Sequence, residues 1–202
     1  EGCPVTIIYI SAFAFSEIES ITLPDTVQTI QDRAFMSCLN LHTVNLGKSV
    51  TEIGVEAVKK CEKLENVTLP KSLNRIGNYA FTECKNLKEI TIPKNVTEMG
   101  ISAFYSCSLS SITFEEGIET IGSYACFWCG DKLKSVTIPK SVKEIGEYSF
   151  NDKLEKVYFK GDAPEKLGNK KPFGDKAILY YKKNTSGWET TPLKDYYTLI
   201  SY

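Results

Sequence analysis

Histidine is nearly absent from this 202-residue chain: His42 is the only one, which removes most triad, general-base and zinc chemistries in one step. A phosphate loop, an HExxH motif, a GxSxG elbow and clustered metal ligands are lacking as well. We therefore assign no catalytic, cofactor-binding or metal-binding residue and expect no enzyme. An excess of charge of either sign is also missing. Against 25 Asp plus Glu stand 24 Lys plus Arg, a formal net charge of -1, so the chain offers no basic field for phosphate backbones or anionic lipids, and nucleic acid is not an expected partner. Long hydrophobic runs are absent too. The longest, near Ile7 to Phe15, is broken by Ser11 and has no basic flank; it is too short to span a bilayer, so we expect no membrane insertion in this segment.

What the chain does have is 42% hydrophobic and 24% charged residues, enough for a sizeable core and too few charges for wholesale disorder. Its apolar residues are arranged in a repeat. The leading apolar residue returns at Ile18, Leu41, Leu64, Leu87, Leu109, Leu133 and Leu154, at intervals of 23, 23, 23, 22, 24 and 21 residues. A fixed period of this length is the mark of a solenoid. In the unit from Leu64 to Asn86, Leu64, Val67 and Leu69 follow LxxVxL, whose alternation predicts a half-buried strand, one per coil, in a continuous parallel sheet. Pro70 ends that strand, as do Pro24, Pro93 and Pro139 at the same slot, because proline cannot donate to a ladder. Gly77 and its equivalents Gly54, Gly100, Gly122 and Gly146 permit a tight bend or close stacking of coils on the return side. Then follow Ala80–Phe81, Ala34–Phe35, Ala103–Phe104 and Ser149–Phe150, whose phenylalanines are expected to stack as a core ladder, since a repeat must bury its largest residues against its neighbours.

The seven cysteines follow the same logic. Cys38, Cys61, Cys84, Cys107 and Cys129 share one slot, and parallel side chains on adjacent coils suit disulfide torsions poorly; we expect buried free thiols. Cys126 and Cys129 form a CxxC, but no second CxxC exists and Cys126 occupies the phenylalanine slot, so a redox or zinc role is not expected. Cys3 stands outside the repeat, free or paired with a segment beyond this chain.

In order, residues 1–17 read as an incomplete repeat in which Ile10, Ala14 and Phe15 fit the IGxxAF half, and further repeats or a capping segment are expected before Glu1. Residues 18–159 are the solenoid. It is least regular in the unit from Leu109, where Glu115 replaces proline, Cys126 replaces phenylalanine and an extra residue precedes Leu133. There Phe127 or Trp128 either swings inward to compensate for the missing ring, which is the expected outcome, or stands out as a bulge able to anchor a ligand. Residues 160–202 abandon the period and read as a β-rich cap built from Phe173, Ala177 to Tyr181, Trp188, Leu193 and Tyr196 to Ile200.

The run LxxVxLPxSLxxIGxxAFxxCxx, fullest from Leu64 to Asn86, closely resembles the BspA-like, Treponema-type class of leucine-rich repeats, from Ile10 to Phe159. The resemblance implies a right-handed leucine-rich repeat coil with a parallel sheet on one face, irregular return segments and a C-terminal cap. It also implies a secreted or cell-surface protein of host-associated bacteria, active in adhesion. The partner expected on that basis is an extracellular or host protein, a glycoprotein among the candidates, bound by a monomer. The family carries no universal binding residues, so the candidate surface comes from strand alternation: Thr22, Asn45, Thr68, Thr91, Thr113, Thr137 and Tyr158 form one outward column, flanked by Ser20, Thr43, Asn66, Glu89, Ser111, Ser135 and Lys156. The same threonines would suit exposed strand positions by propensity alone. The alternative reading is a spacer that holds another domain away from a surface. Asn66, Asn95 and Asn184 begin N-x-[ST] sequons, most simply by chance.

Overall fold

Each period of the sequence closes one coil of a solenoid of about nine turns, described over residues 3–202 of a computed structural model. The LxxVxL segments form strands of three or four residues: Ser20–Thr22, Thr43–Asn45, Asn66–Thr68, Glu89–Ile92, Ser111–Phe114, Ser135–Ile138 and Lys156–Phe159. Every ladder among them is parallel and in register one coil apart, for example Ser20 with Thr43 and Thr43 with Asn66. Ladder pairing is interrupted twice along this long-strand face, between Asn66–Thr68 and Glu89–Ile92 and between Ser111–Phe114 and Ser135–Ile138.

One strand per coil is not the whole arrangement. A second parallel ladder of eight two-residue strands runs through Ile7–Ile8, Thr29–Ile30, Glu52–Ile53, Arg75–Ile76, Glu98–Met99, Thr120–Ile121, Glu144–Ile145 and Lys166–Leu167. This is the more continuous of the two sheets. Two residues are too few to display an alternation, so the dipeptide before each glycine reads in sequence only as the approach to a bend. Its inner residue is apolar in every coil, and Ile30, Ile53, Ile76, Met99, Ile121 and Ile145 are fully buried.

The glycine after this strand serves close stacking. A Cβ on Gly77 would lie 2.6 Å from the carbonyl carbon of Gly54, and one on Gly122 would lie 2.7 Å from that of Gly100. Beyond it the chain makes two left-handed residues per coil, with φ +57° at Arg33, +55° at Glu56 and +58° at Tyr79, and again +58° at Ser37, +60° at Lys60 and +61° at Glu83. Such residues cost roughly 1–2 kcal/mol each without glycine. Their compensation is a hydrogen bond into the next coil, as in Arg33 N to Val55 O at 2.9 Å and Tyr79 N to Ile101 O at 2.8 Å. No glycine or asparagine marks these positions, which is why the return path could not be read beforehand.

The core is a single cluster running the length of the coil. Phe35, Phe81, Phe104 and Phe150 are all buried as expected, but Val58 and Cys126 divide the ladder into stacked pairs. Phe81 lies on Phe104 with ring centroids 5.1 Å apart and planes 3° apart. Phe13 pairs with Phe35 at 5.2 Å, and Phe150 with Phe173 at 5.5 Å. The first of these corrects the register of the N-terminal repeat: Ile8, Ala12 and Phe13 take the IGxxAF positions, whereas Ile10 and Phe15 are 63% and 69% exposed. The segment AFAF offers two overlapping Ala–Phe matches, and the one that places Ile7–Ile8 beside Thr29–Ile30 buries the ring.

The tail is β-rich, and its strands extend the stack. Lys166–Leu167 continues the short-strand ladder, while Ile178–Tyr181 and Thr198–Ser201 add to the long-strand face in parallel. The run Leu167-Gly168-Asn169-Lys170-Lys171-Pro172-Phe173 is therefore a degenerate IGxxAF with one residue inserted, and Phe150 N bonds to Pro172 O as Phe104 N bonds to Ala125 O. A one-turn 3-10 helix, Pro192–Asp195, capped by the Thr191 hydroxyl, leads into the last strand. Trp188 is buried here between Phe159 and Tyr181, each at 4.7 Å.

The cysteine slot shows its purpose in the hydrogen bonds. Each Sγ donates to a carbonyl of the preceding coil: Cys38 to Phe13 O at 2.9 Å, Cys61 to Phe35 O at 3.1 Å, Cys84 to Val58 O at 3.3 Å, Cys107 to Phe81 O at 3.1 Å and Cys129 to Phe104 O at 3.1 Å. In the following coil the side-chain amide of the buried Asn151 donates to Gly130 O in the same manner. All seven cysteines are unbridged. Burial pushes the thiols of Cys84 and Cys107 well above their usual range, so they remain protonated and unreactive. A thiol titration should accordingly read about one group in the native protein, Cys3 alone being exposed, and seven after denaturation. A native value near seven, or no increase in denaturant, would contradict the buried-thiol ladder.

Candidate interaction surface

Outward side chains on a parallel stack fall into columns, because registered strands repeat the same orientation from coil to coil. Thr22, Asn45 and Thr68 are registered in the first ladder, Thr91 and Thr113 in the second, and Thr137 and Tyr158 in the third. Thr22, Asn45, Thr68, Thr91, Thr113 and Thr137 are exposed and Tyr158 is half-buried. The apolar residues that alternate with them, such as Val44, Ile90, Ile112 and Val136, are buried. Local links cross the coils here, as where Asn45 Nδ2 donates to Thr22 Oγ1 at 3.2 Å. The flanking row Ser20, Thr43, Asn66, Glu89, Ser111, Ser135 and Lys156 is equally in register.

The column does not stop where the regular repeats stop. Tyr158 is followed by Tyr180 and Ile200, with Tyr158 stacked on Tyr180 at 5.0 Å and meeting Tyr202 edge-on at 6.5 Å. Sequence reasoning missed Tyr180, Ile200 and Tyr202 as members of this face, since the tail was treated as a separate cap. The usable signal was the spacing of 22 residues from Tyr158 to Tyr180. At the first interruption of the ladder the face also opens a shallow groove of about 280 Å³ lined by Thr68, Glu89, Thr91, Pro93 and Glu115.

The two sheets differ in charge. Outward positions of the short-strand ladder carry Glu52, Arg75, Glu98, Glu144 and Lys166, and ion pairs lace that side: Arg75 with Glu52 at 2.6 Å, Lys143 with Glu119 at 3.1 Å. On the neighbouring return segment, hydrogen bonds from Lys59 and Arg33 hold the Glu56 carboxyl below its usual range. The two central rows of the long-strand face contain only Glu89 and Lys156 as charged members. One side is thus a self-paired, solvated surface of little energetic worth per pair; the two central rows of the other are mainly an array of hydroxyls and amides ending in tyrosines, with charges such as the Lys134–Glu155 pair at 3.1 Å on the adjoining row. His42 lies exposed at the edge of that array, its Nδ1 3.4 Å from Asn40 O.

Phe127 and Trp128 do not replace the missing core ring. Cys126 itself is buried in the slot, Trp128 is 63% exposed and Phe127 is half-buried. The Cys126 backbone pairs with that of Phe150 in the next coil through an isolated parallel bridge, which holds Cys126 in the slot. The following two residues are thereby left on the outer side, Trp128 with φ +56°.

Comparison with known proteins agrees with this architecture. The profile of the BspA type leucine-rich repeat region matches residues 6–130 and 120–169 in six copies. No curated protein matches the chain. Among solved structures, a leucine-rich repeat protein from Bacteroides ovatus ATCC 8483 superposes with TM-score 0.71 at 28% identity, covering 98% of this chain and 55% of that one. The chain thus spans about half the length of that protein. The leucine-rich repeat protein of T. pallidum superposes with TM-score 0.50 at 25% identity, over 88% of this chain and 79% of its own. A leucine-rich cell-surface protein from Faecalibacterium prausnitzii A2-165 is more distant, with TM-score 0.48 at 21% identity over 81% and 69%. With its repeats covered from residue 6 to residue 169, the chain belongs to the BspA-type leucine-rich repeat family.

Proposed function

We propose that this chain is a non-catalytic protein-binding module of a secreted or cell-surface bacterial protein, which engages an extracellular or host protein through the long-strand face. The observation that carries this reading is the contrast between the two sheets. A solvated surface is well served by the paired charges of the short-strand side, whereas an uncharged row of exposed hydroxyls and amides, closed by Tyr158 and Tyr180, offers hydrogen bonds and aromatic anchors without a large desolvation penalty. The family resemblance supports the surface location and the adhesive role. Binding of this kind depends on shape and hydrogen bonds more than on bulk attraction, so its salt dependence is modest.

The test is a screen of immobilised extracellular-matrix and secreted host proteins with the parent chain and with the triple variant Thr68→Arg, Thr91→Arg, Thr113→Arg. All three side chains are exposed, so the variant should melt like the parent while losing detectable binding. Equal binding by the triple variant would move the interface away from this face. A screen with no binder at all would favour the alternative, a spacer within a larger surface protein.

A further inference from the structure

The irregular coil places five aromatic rings together on the return side, away from the strand columns. By register Phe127 follows Tyr105 and Tyr148 follows Tyr124, with ring centroids 6.4 and 5.4 Å apart. Trp128 lies 5.6 Å from Tyr105 and 6.0 Å from Phe127, while Phe127 meets Tyr148 at 5.7 Å. None of these rings is needed by the core, which is filled at these coils by Phe104, Cys126 and Phe150. The shelf leads into a groove of about 500 Å³ between Phe127 and Tyr148 on one side and Tyr196 on the other, opened where the next coil carries its extra residue at Asn169 to Lys171. Its volume falls in the range of small-ligand sites, roughly 300–1,000 Å³.

The charges that line the groove are two of each sign, Asp152 and Asp175 against Lys170 and Lys171, and most are already engaged. Lys171 Nζ donates to Asp175 Oδ1 at 2.8 Å and lies 5.6 Å from the Tyr196 ring centroid, and Asp152 takes Lys153 at 3.1 Å. A charged ligand gains nothing from a lining without net charge and would have to break these pairs. A purely aliphatic one would strip water from carboxylates, ammonium groups and the Asn169 amide without replacing its hydrogen bonds. A sugar ring satisfies both requirements. Its C–H face carries slight positive charge suited to the negative face of an aromatic ring, and its hydroxyls can donate to Asp152 or Asp175 and accept from Asn169 or Lys170.

We propose that this groove is a carbohydrate-binding site for a neutral pyranose unit of a glycan, separate from the long-strand face. The test titrates the full chain with methyl glucoside, methyl galactoside, methyl mannoside, N-acetylglucosamine, lactose and chitobiose, read by saturation-transfer NMR and calorimetry. At least one should bind. Tyr148→Ala and Tyr196→Ala should each weaken that binding about tenfold, the loss of a stacking partner plus its buried area, whereas Tyr148→Phe, which keeps the ring, and the triple arginine variant of the long-strand face should retain it. Tyr196 is 48% exposed, so its removal tests the site without disturbing the coil if Tyr148→Ala folds poorly. The proposal is overturned if no saccharide of this panel binds or if binding survives in Tyr196→Ala.

Discussion

Phe81→Ala should lower the unfolding free energy by about 3–5 kcal/mol, the cost of emptying a phenylalanine site in a core that cannot collapse around it. Phe81 has no exposed surface, and one face of its ring is covered by Phe104 at 5.1 Å. On the other side the ladder is already thin, because Val58 occupies the slot in the coil below. The void left by alanine would therefore adjoin a coil that already lacks a ring at this slot, with the smaller Val58 side chain on that side to border it. In a stack whose stability is a sum of coil and interface terms, the loss falls on two interfaces at once. Urea denaturation would measure it. A reduced slope together with a reduced midpoint would mean that the array splits at this coil instead of unfolding as a unit. Thr91→Ala, on the exposed column, should stay within about 0.5 kcal/mol of the parent. If Phe81→Ala melted with the parent, the inward ladder would be wrong.

The elements legible in the sequence were those written once per coil in residues with a single physical use. Proline at Pro70 and glycine at Gly77 admit few alternatives, and a cysteine that returns at Cys38, Cys61, Cys84, Cys107 and Cys129 can hardly be explained except by a shared environment. The column from Thr22 to Thr137 followed from alternation and lies in register within each ladder. Features that depend on several coils at once were harder to see. The register of the first repeat turned on whether Phe13 or Phe15 faces Phe35, which AFAF leaves undecided until a neighbouring coil is present. The coil of Leu167 to Phe173 was hidden by one inserted residue and by Pro172 in the small-residue slot, although both leave the stacking partner of Phe150 in place. The aromatic shelf was anticipated only as an alternative, because the size of Cys126 indicates a missing ring without indicating which side its neighbours take.

Gly77 shows how strictly the coils are spaced, and replacing it should be among the most damaging single changes on the return side. Its N–H donates to Ile53 O at 2.8 Å, which fixes its height above the coil below. A Cβ there would lie 2.6 Å from the carbonyl carbon of Gly54, 2.7 Å from its oxygen and 2.9 Å from Val55 N. These are backbone atoms, held in turn by their own coil, so relief requires the two coils to part and lengthens the ladder bonds on either side. Gly77→Ala should cost at the upper end of the roughly 1–3 kcal/mol usual for overpacking, and Gly77→Val more. Gly130 supplies the contrast. It has φ +75° and nothing within 4 Å of an added Cβ, so substitution there meets backbone strain of roughly 1–2 kcal/mol and no clash. The two mechanisms separate by side chain: the penalty at position 77 should rise steeply with volume, whereas at position 130 it should be nearly flat and be relieved by asparagine, which tolerates the left-handed region. Thermal melts of the Ala, Val and Asn variants at both sites would decide it. A Gly77→Ala protein as stable as Gly130→Asn would show that the coils can separate without loss, and the close stacking seen at Gly54, Gly77, Gly100 and Gly122 would then not be what sets their spacing.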